Sequence, residues 1–271
     1  MIYSINIDTI DQILLLSHCY QRSLVYNKSA TSFIRIIGAE VICVVFLLDL
    51  VDVRLSFQGK TILDGISFDV QRGDFVGVLG SSGSGKTSLF RMINLLQSPT
   101  QGNISYLGKD TLLYPPTELR KRIGYVFQKP YLFGSTIADN LMYPYQLLKQ
   151  ETNLEEIAGY LAKANLPKEI MTKKINELSG GEQQRIALIR SLLVKPNILL
   201  LDEFTASLDE ENTRVVEELI LSEHKEQKLT VLFISHNIAQ AKRLAHKIIY
   251  LEKGKLTFYG SADEYFVQKE L

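Results

Sequence analysis

The run Gly80-Ser81-Ser82-Gly83-Ser84-Gly85-Lys86-Thr87 constrains this chain more than any other, because it requires a strand before it and a helix after it. Phe75 to Leu79 supply an apolar strand, and Ser88 to Leu96 read as the helix. Glycines here let the backbone curl until its N–H groups converge on phosphate oxygens at a helix N-terminus, where the helix dipole favours an anion. Lys86 then reaches the outer phosphates of a nucleotide, and the Thr87 hydroxyl is placed to ligate the magnesium ion that accompanies them.

Composition narrows the setting. The chain has 271 residues, 46% hydrophobic and 22% charged, which suits one large domain or a domain with an inserted subdomain. Thirty Lys and Arg balance thirty Asp and Glu, so no overall field argues for nucleic acid or an anionic membrane surface as a partner. Cys19 and Cys43 both precede the strongly patterned part of the chain and do not make a disulfide framework. The N-terminus does not read as a secretory signal, since Asp8 and Asp11 precede any Lys or Arg and the apolar run Ile13 to Leu16 is short. That fits a reducing, cytoplasmic setting. The longest apolar stretch, Ile36 to Leu48, is interrupted by Glu40 and falls short of the roughly 20 residues that span a bilayer. Any membrane-crossing part is then expected on another chain.

Residues 1–49 lack clear punctuation and read as an extension: either a helical appendage or sequence upstream of the natural start. From Leu50 the pattern sharpens. Val51, Val53, Leu55 and Phe57 alternate with polar residues as in a half-buried strand, and Ile62 to Val70 continues the strands. Ser98 to Gly102 is a turn, and Ile123 to Phe127 is a short buried strand. Between Pro130 and about Leu178 the spacing becomes helical, with a capping signal at Asn153-Leu154-Glu155-Glu156 and a break at Leu166-Pro167, as in an inserted helical subdomain. Ile198 to Leu201 and Val231 to Ile234 are continuous apolar runs of the kind found in parallel strands covered on both faces. Helices are expected over 182–193, 211–223 and 238–244, and a hairpin turns at Lys253-Gly254 before a short C-terminal helix. The alternation makes the core α/β.

Two more clusters carry chemistry. Asp202 ends the apolar run Ile198 to Leu201, where open α/β sheets place ligand-contacting residues, and a carboxylate there can hold magnesium through water. Glu203 follows it and is the candidate general base or water-orienting group. Leu178-Ser179-Gly180-Gly181-Glu182 leads from a small-residue turn into a helix and offers a hydroxyl and N–H groups to an anion; a C-cap turn between helices is the bland alternative.

With these motifs the sequence resembles the ATP-binding cassette ATPases, the nucleotide-binding subunits of ABC transporters, over about residues 50–265. Gln128 after a short strand, the turn Ala206-Ser207-Leu208-Asp209 and His236 after Val231 to Ile234 complete the ordered set. The resemblance implies a P-loop NTPase core of mainly parallel strands, an N-terminal antiparallel β subdomain and an inserted α-helical subdomain at about 130–180, within an ATPase domain over 50–268. It implies ATP and Mg2+ as cofactors. Gly80 to Thr87 with Ser88 would form the nucleotide cradle, Phe57 would stack on adenine, and Gln128 would touch magnesium or the attacking water. His236 would bond the γ-phosphate and position Glu203. A core-facing strand residue is the bland alternative for Phe57, and the strand's end there, with Gln58 and Gly59 following, favours stacking.

The resemblance also implies a head-to-tail homodimer in which Ser179, Gly180 and Gly181 of one copy close over ATP held by Lys86 of the other, with Asp209 acting across the interface. This turn usually reads Ser-Ala-Leu-Asp in the family, so the hydroxyl contact at Ser207 is in question. The aromatic stretch Pro130 to Tyr145 would receive a cytoplasmic helix of a separate integral-membrane permease, placing the protein peripherally on the cytoplasmic face of the membrane. The segments 129–141, 177–193 and 199–210 are most similar to ATPase subunits of small bacterial exporters linked to iron efflux. A soluble ABC ATPase serving an assembly system, such as an iron–sulfur cluster scaffold, is the competing expectation.

Overall fold

The computed structural model describes residues 2–6, 33–37, 40–44 and 46–269. The first three segments are strands β1 (Ile2–Asn6), β2 (Phe33–Ile37) and β3 (Glu40–Val44), paired antiparallel in the order β1-β3-β2. Cys19 and the Ile13 to Leu16 run lie outside the described residues.

A four-stranded antiparallel sheet follows, built from β4 (Leu48–Phe57), β5 (Lys60–Val70), β7 (Gln101–Tyr106) and β8 (Lys109–Asp110) in the order β5-β4-β7-β8. The alternation expected along β4 holds only for Val53 and Leu55. Asp52 adopts φ 46° and the pairing with β5 shifts between Leu50 and Val53. This bulge reverses the phase, so Leu48 and Leu50 take the buried positions ahead of it and Val51 is only half-buried. Phe57, at the end of the strand, is 61% exposed, which removes the core-facing reading of that ring.

The larger sheet contains β6 (Phe75–Gly80), β9 (Ile123–Val126), β10 (Ile198–Asp202), β11 (Thr230–Ile234), β12 (Lys247–Glu252) and β13 (Lys255–Ser261) in the order β13-β12-β6-β11-β10-β9. All neighbours are parallel except β12 and β13, which form the expected hairpin. Both faces are covered. Leu199, Leu201, Val231 and Phe233 point into one apolar cluster, whereas Ile198, Leu200, Leu232 and Ile234 point into another that includes the antiparallel sheet. Period-two strands buried on both sides must read as unbroken apolar runs, and each such side chain contributes about 1.5–3 kcal/mol on burial.

Helix α1 (Lys86–Ile93) follows β6 and inserts Leu89, Phe90, Met92 and Ile93 into the second cluster. Between β9 and β10, beyond α2 (Pro116–Arg122), lie α3 (Ile137–Leu148), α4 (Leu154–Lys163) and α5 (Gly180–Leu193). Thr136 and Asp139 cap α3 reciprocally, and Asn153 caps α4 as its sequence predicts. Half-buried Arg190 of α5 ties this region down by donating to Asn140 Oδ1 and to the Tyr131 carbonyl, both at 2.8 Å. Tyr160 of α4 reaches the buried Glu223 at 3.0 Å on α6 (Glu210–Gln227). The chain closes with α7 (Ile238–Leu244) and α8 (Ala262–Gln268). No helix of the described residues is long and apolar enough to cross a membrane.

Candidate active site

Strands β6, β9, β10 and β11 run parallel, so their carboxyl ends open on one edge of the sheet. The loop Gly80–Thr87, Gln128, Asp202–Glu203 and His236 all follow those ends, where parallel sheets concentrate ligand-contacting residues. Thr87 Oγ1 donates to Asp202 Oδ1 at 3.2 Å, and Tyr125 donates its hydroxyl proton to Asp202 Oδ2 at 2.8 Å. Burial pushes the Asp202 carboxyl above its ordinary range, while these two hydrogen bonds pull it back. Asp202 is therefore a buried carboxylate aligned on the Thr87 hydroxyl in the first turn of α1.

Glu203 turns away from the strand at φ 47°, in a left-handed region that costs a non-glycine residue of order 1 kcal/mol. Its carboxylate is held on both sides. Gln128 Nε2 donates to Oε2 at 2.6 Å, and His236 Nε2 lies 3.0 Å from Oε1. Gln128 and His236, more than a hundred positions apart in the chain, thus share one carboxylate.

Lys86 is buried in the phosphate loop and donates to the carbonyls of Gly80 at 2.9 Å and Ser81 at 2.8 Å. Desolvation lowers its pKa, offset by the nearby negative charges of Glu203 and Asp202. Ser84 Oγ is buried without a hydrogen-bond partner among the described residues. An orphaned hydroxyl, a lysine and the Thr87–Asp202 oxygen pair fit a triphosphate with a hard cation: oxygen donors suit magnesium, and the polar groups suit phosphate.

The turn at Ser179 is an N-cap, not a C-cap. Its hydroxyl accepts from the Glu182 N–H at 3.2 Å, and its own N–H and hydroxyl donate to Glu182 Oε2 at 2.8 and 2.9 Å. The backbone N–H of Ser179 is the main reason the Glu182 carboxyl sits below its ordinary range. These bonds stay within the turn and do not join it to the phosphate loop of the same copy. Instead the turn packs on the Ala206–Asp209 segment: a Cβ at Gly181 would stand 3.1 Å from Leu208 Cδ2. Asp209 caps α6, accepting from the Asn212 N–H at 2.8 Å, and the Arg185 guanidinium of α5 hydrogen-bonds Asn212 Oδ1. Gly180 and Ser207 are exposed, and Ser88 lies half-buried on α1. Of the aromatic stretch, Tyr131 and Tyr143 face solvent, whereas Leu132 and Tyr145 are inside.

A family model described as ABC transporter matches residues 63–206, more than half the chain. The chain belongs to the ABC transporter family. Among ABC relatives, it is 39% identical over 206 residues, 76% of this chain and 91% of that protein, to the probable iron export ATP-binding protein FetA of Escherichia coli. It is 36% identical to the tungstate uptake system ATP-binding protein TupC of Peptoclostridium acidaminophilum, over 79% of this chain and 97% of that one. A solved ATP-binding cassette, in a dimeric post-hydrolysis state bound to ADP and Pi, superposes with a TM-score of 0.70 at 27% identity, covering 79% of this chain and 98% of that chain. The chain accordingly has the ABC ATPase fold and the ATPase activity of its family.

One ABC site residue escapes the sequence reading. Tyr125 carries no motif, and its only signal is a phenol in a short apolar strand, where a buried hydroxyl requires a partner.

Proposed function

We propose that this chain is the ATP-hydrolysing subunit of a transporter: two copies pair head to tail around two Mg-ATP and drive a permease carried on a separate membrane-spanning chain. The observation that carries the reading is the Glu203 carboxylate, clamped between Gln128 and His236 beside the Thr87–Asp202 pair. A carboxylate held at one oxygen by the Gln128 amide and at the other by the His236 imidazole is aimed as needed to accept a proton from a water attacking the γ-phosphate. Lys86 and the N–H groups at the start of α1 bind and orient the phosphates, and Phe57 offers an exposed ring to the base. Magnesium, when bound by Thr87 and Asp202 with Gln128 nearby, supplies neutralisation of charge on the phosphate oxygens.

The Arg185–Asn212–Asp209 linkage supports pairing, since it makes the Ser179–Gly181 turn and the Asp209 turn one unit that can close on a second copy together. The exposed rings of Tyr131 and Tyr143 support a docking face for the permease, which would hold the ATPase domain, residues 50–268 with its helical insert, peripherally on the cytoplasmic face. The relative named for iron export is 39% identical and the one named for tungstate uptake 36%, so an iron exporter is the first system in which to seek the permease and an uptake system the second.

The test is Glu203→Gln. The variant should keep Mg-ATP binding, lose steady-state hydrolysis and elute as a dimer when Mg-ATP is present; unaltered hydrolysis removes Glu203 from its role. Purification from the native membrane should recover a multi-span protein, and a soluble scaffold in its place would replace the transport reading.

A further inference from the structure

Behind His236, between α6 and α7, lies a buried amide that no motif marks. Gln240 of α7 is 2% exposed, and its side chain is shared by three elements. Its Oε1 accepts from Ser235 Oγ at 2.7 Å, and its Nε2 donates to Thr205 Oγ1 at 3.0 Å and to Glu217 Oε1 at 2.9 Å. Ser235 immediately precedes His236, and Thr205 stands two residues after Glu203. Glu217 is a buried carboxylate of α6, neutralised by Arg243 through Nε at 2.9 Å and Nη2 at 2.7 Å.

The arrangement has a direction. Ser235 Oγ accepts from the Asn237 N–H at 2.9 Å and donates to Gln240 Oε1 at 2.7 Å, much closer than the Asn237 carbonyl at 3.4 Å. Both hydrogens of Nε2 are then taken by Thr205 and Glu217. Only an amide supplies one acceptor and two donors at this point; a carboxylate would face Glu217 with like charge, and an apolar side chain would leave the Ser235 and Thr205 hydroxyls without their partner.

We propose that Gln240 is a positioning residue for ATP hydrolysis. It locks the His236 turn to the Glu203 turn, and it acts on the Glu203 carboxylate through the imidazole. The inference rests on the reading in which Glu203 and His236 serve hydrolysis. Because the Gln240 hydrogen bonds go to Ser235, Thr205 and Glu217 and to none of the phosphate-loop residues, its loss should slow turnover without weakening nucleotide binding.

The experiment is a double-mutant cycle on the full chain with Gln240→Met, which keeps the length of the side chain and removes its hydrogen bonds. In the otherwise natural chain, kcat should fall about ten-fold while KM for Mg-ATP stays within about two-fold. In a His236→Ala background, Gln240→Met should change kcat by less than about two-fold, because the residue through which it acts is gone. An equal loss in both backgrounds overturns the proposal, since a scaffold role alone gives additivity. So does an unchanged kcat in Gln240→Met when His236→Ala alone is slow. A normal kcat in His236→Ala alone overturns the assignment of His236, and the inference with it. If Gln240→Met does not fold, Thr205→Val keeps the side-chain shape, removes the hydroxyl joining Gln240 to the Glu203 turn and is read by the same outcomes.

Discussion

Gly80 and Gly83 lie three residues apart in the phosphate loop and both have positive φ, 144° and 76°, yet a methyl group added at each would meet different surroundings. At Gly83 nothing lies within 4 Å of the new Cβ. Its cost is conformational alone, about 1–2 kcal/mol for a left-handed residue, reduced by the ~0.4–1 kcal/mol that alanine gains by restricting the unfolded chain. At Gly80 the new Cβ would overlap the Leu251 carbonyl oxygen, with the carbonyl carbon at 3.1 Å and Ser84 Oγ at 2.9 Å. Leu251 belongs to β12, whose pairing with β6 holds Leu251 beside Gly80, so the carbonyl cannot withdraw without opening the ladder. Backbone strain of about 1–3 kcal/mol and overpacking of about 1–3 kcal/mol then add. At the centres of these ranges, and with the unfolded-chain gain common to both variants, Gly80→Ala should therefore cost about 2–3 kcal/mol more than Gly83→Ala, a large share of the roughly 5–15 kcal/mol that holds a typical domain. Urea unfolding of both variants at one pH measures the difference. Two unfolding free energies within about 0.5 kcal/mol of each other would refute the reasoning, because the close approach of β12 would then have no energetic meaning.

Two further outcomes can be checked. Lys86→Ala should weaken Mg-ATP affinity roughly ten- to hundred-fold, the scale of one charge-assisted hydrogen bond, and lower turnover with it; equilibrium binding of a fluorescent nucleotide reads the change. Glu182→Ala should destabilise the chain by about 1 kcal/mol at neutral pH through loss of the capping box at Ser179. Because the Glu182 carboxyl is held below its ordinary range in the folded chain, its contribution is present above the unfolded pKa and is lost as pH falls through the lowered folded value. The difference between variant and parent in urea curves should shrink on acidification across that window, and a difference independent of pH counts against the charged cap.

The sequence carries much of this architecture because its strongest signals are local. Ile198 to Leu201 and Val231 to Ile234 announce a doubly covered sheet through period and composition, and Asn153 announces a helix start through its side-chain oxygen. The phase reversal in β4 is not local: Asp52 bulges because of how β4 meets β5 and β7, and the periodicity alone points to Val51 rather than Leu50 as the buried residue. The site divides the same way. Lys86, Thr87 and Asp202 follow from a loop and a strand end, but the meeting of Gln128, Glu203 and His236 depends on strand order, which places β11 between β6 and β10. Tyr125 and Gln240 fall outside any motif, since a single polar residue shows its partner only after the chain has folded.

The ammonium of Lys86 has three protons, and the loop carbonyls of Gly80 and Ser81 take two of them. The side chain is thus a strut for the very ring of atoms it is meant to serve, with one proton left to offer outward. Any variant at this position removes brace and grip together, so a lost affinity there reports a sum. Separating the two needs a residue that keeps the cation while shortening its reach, and ornithine introduced chemically would be such a probe.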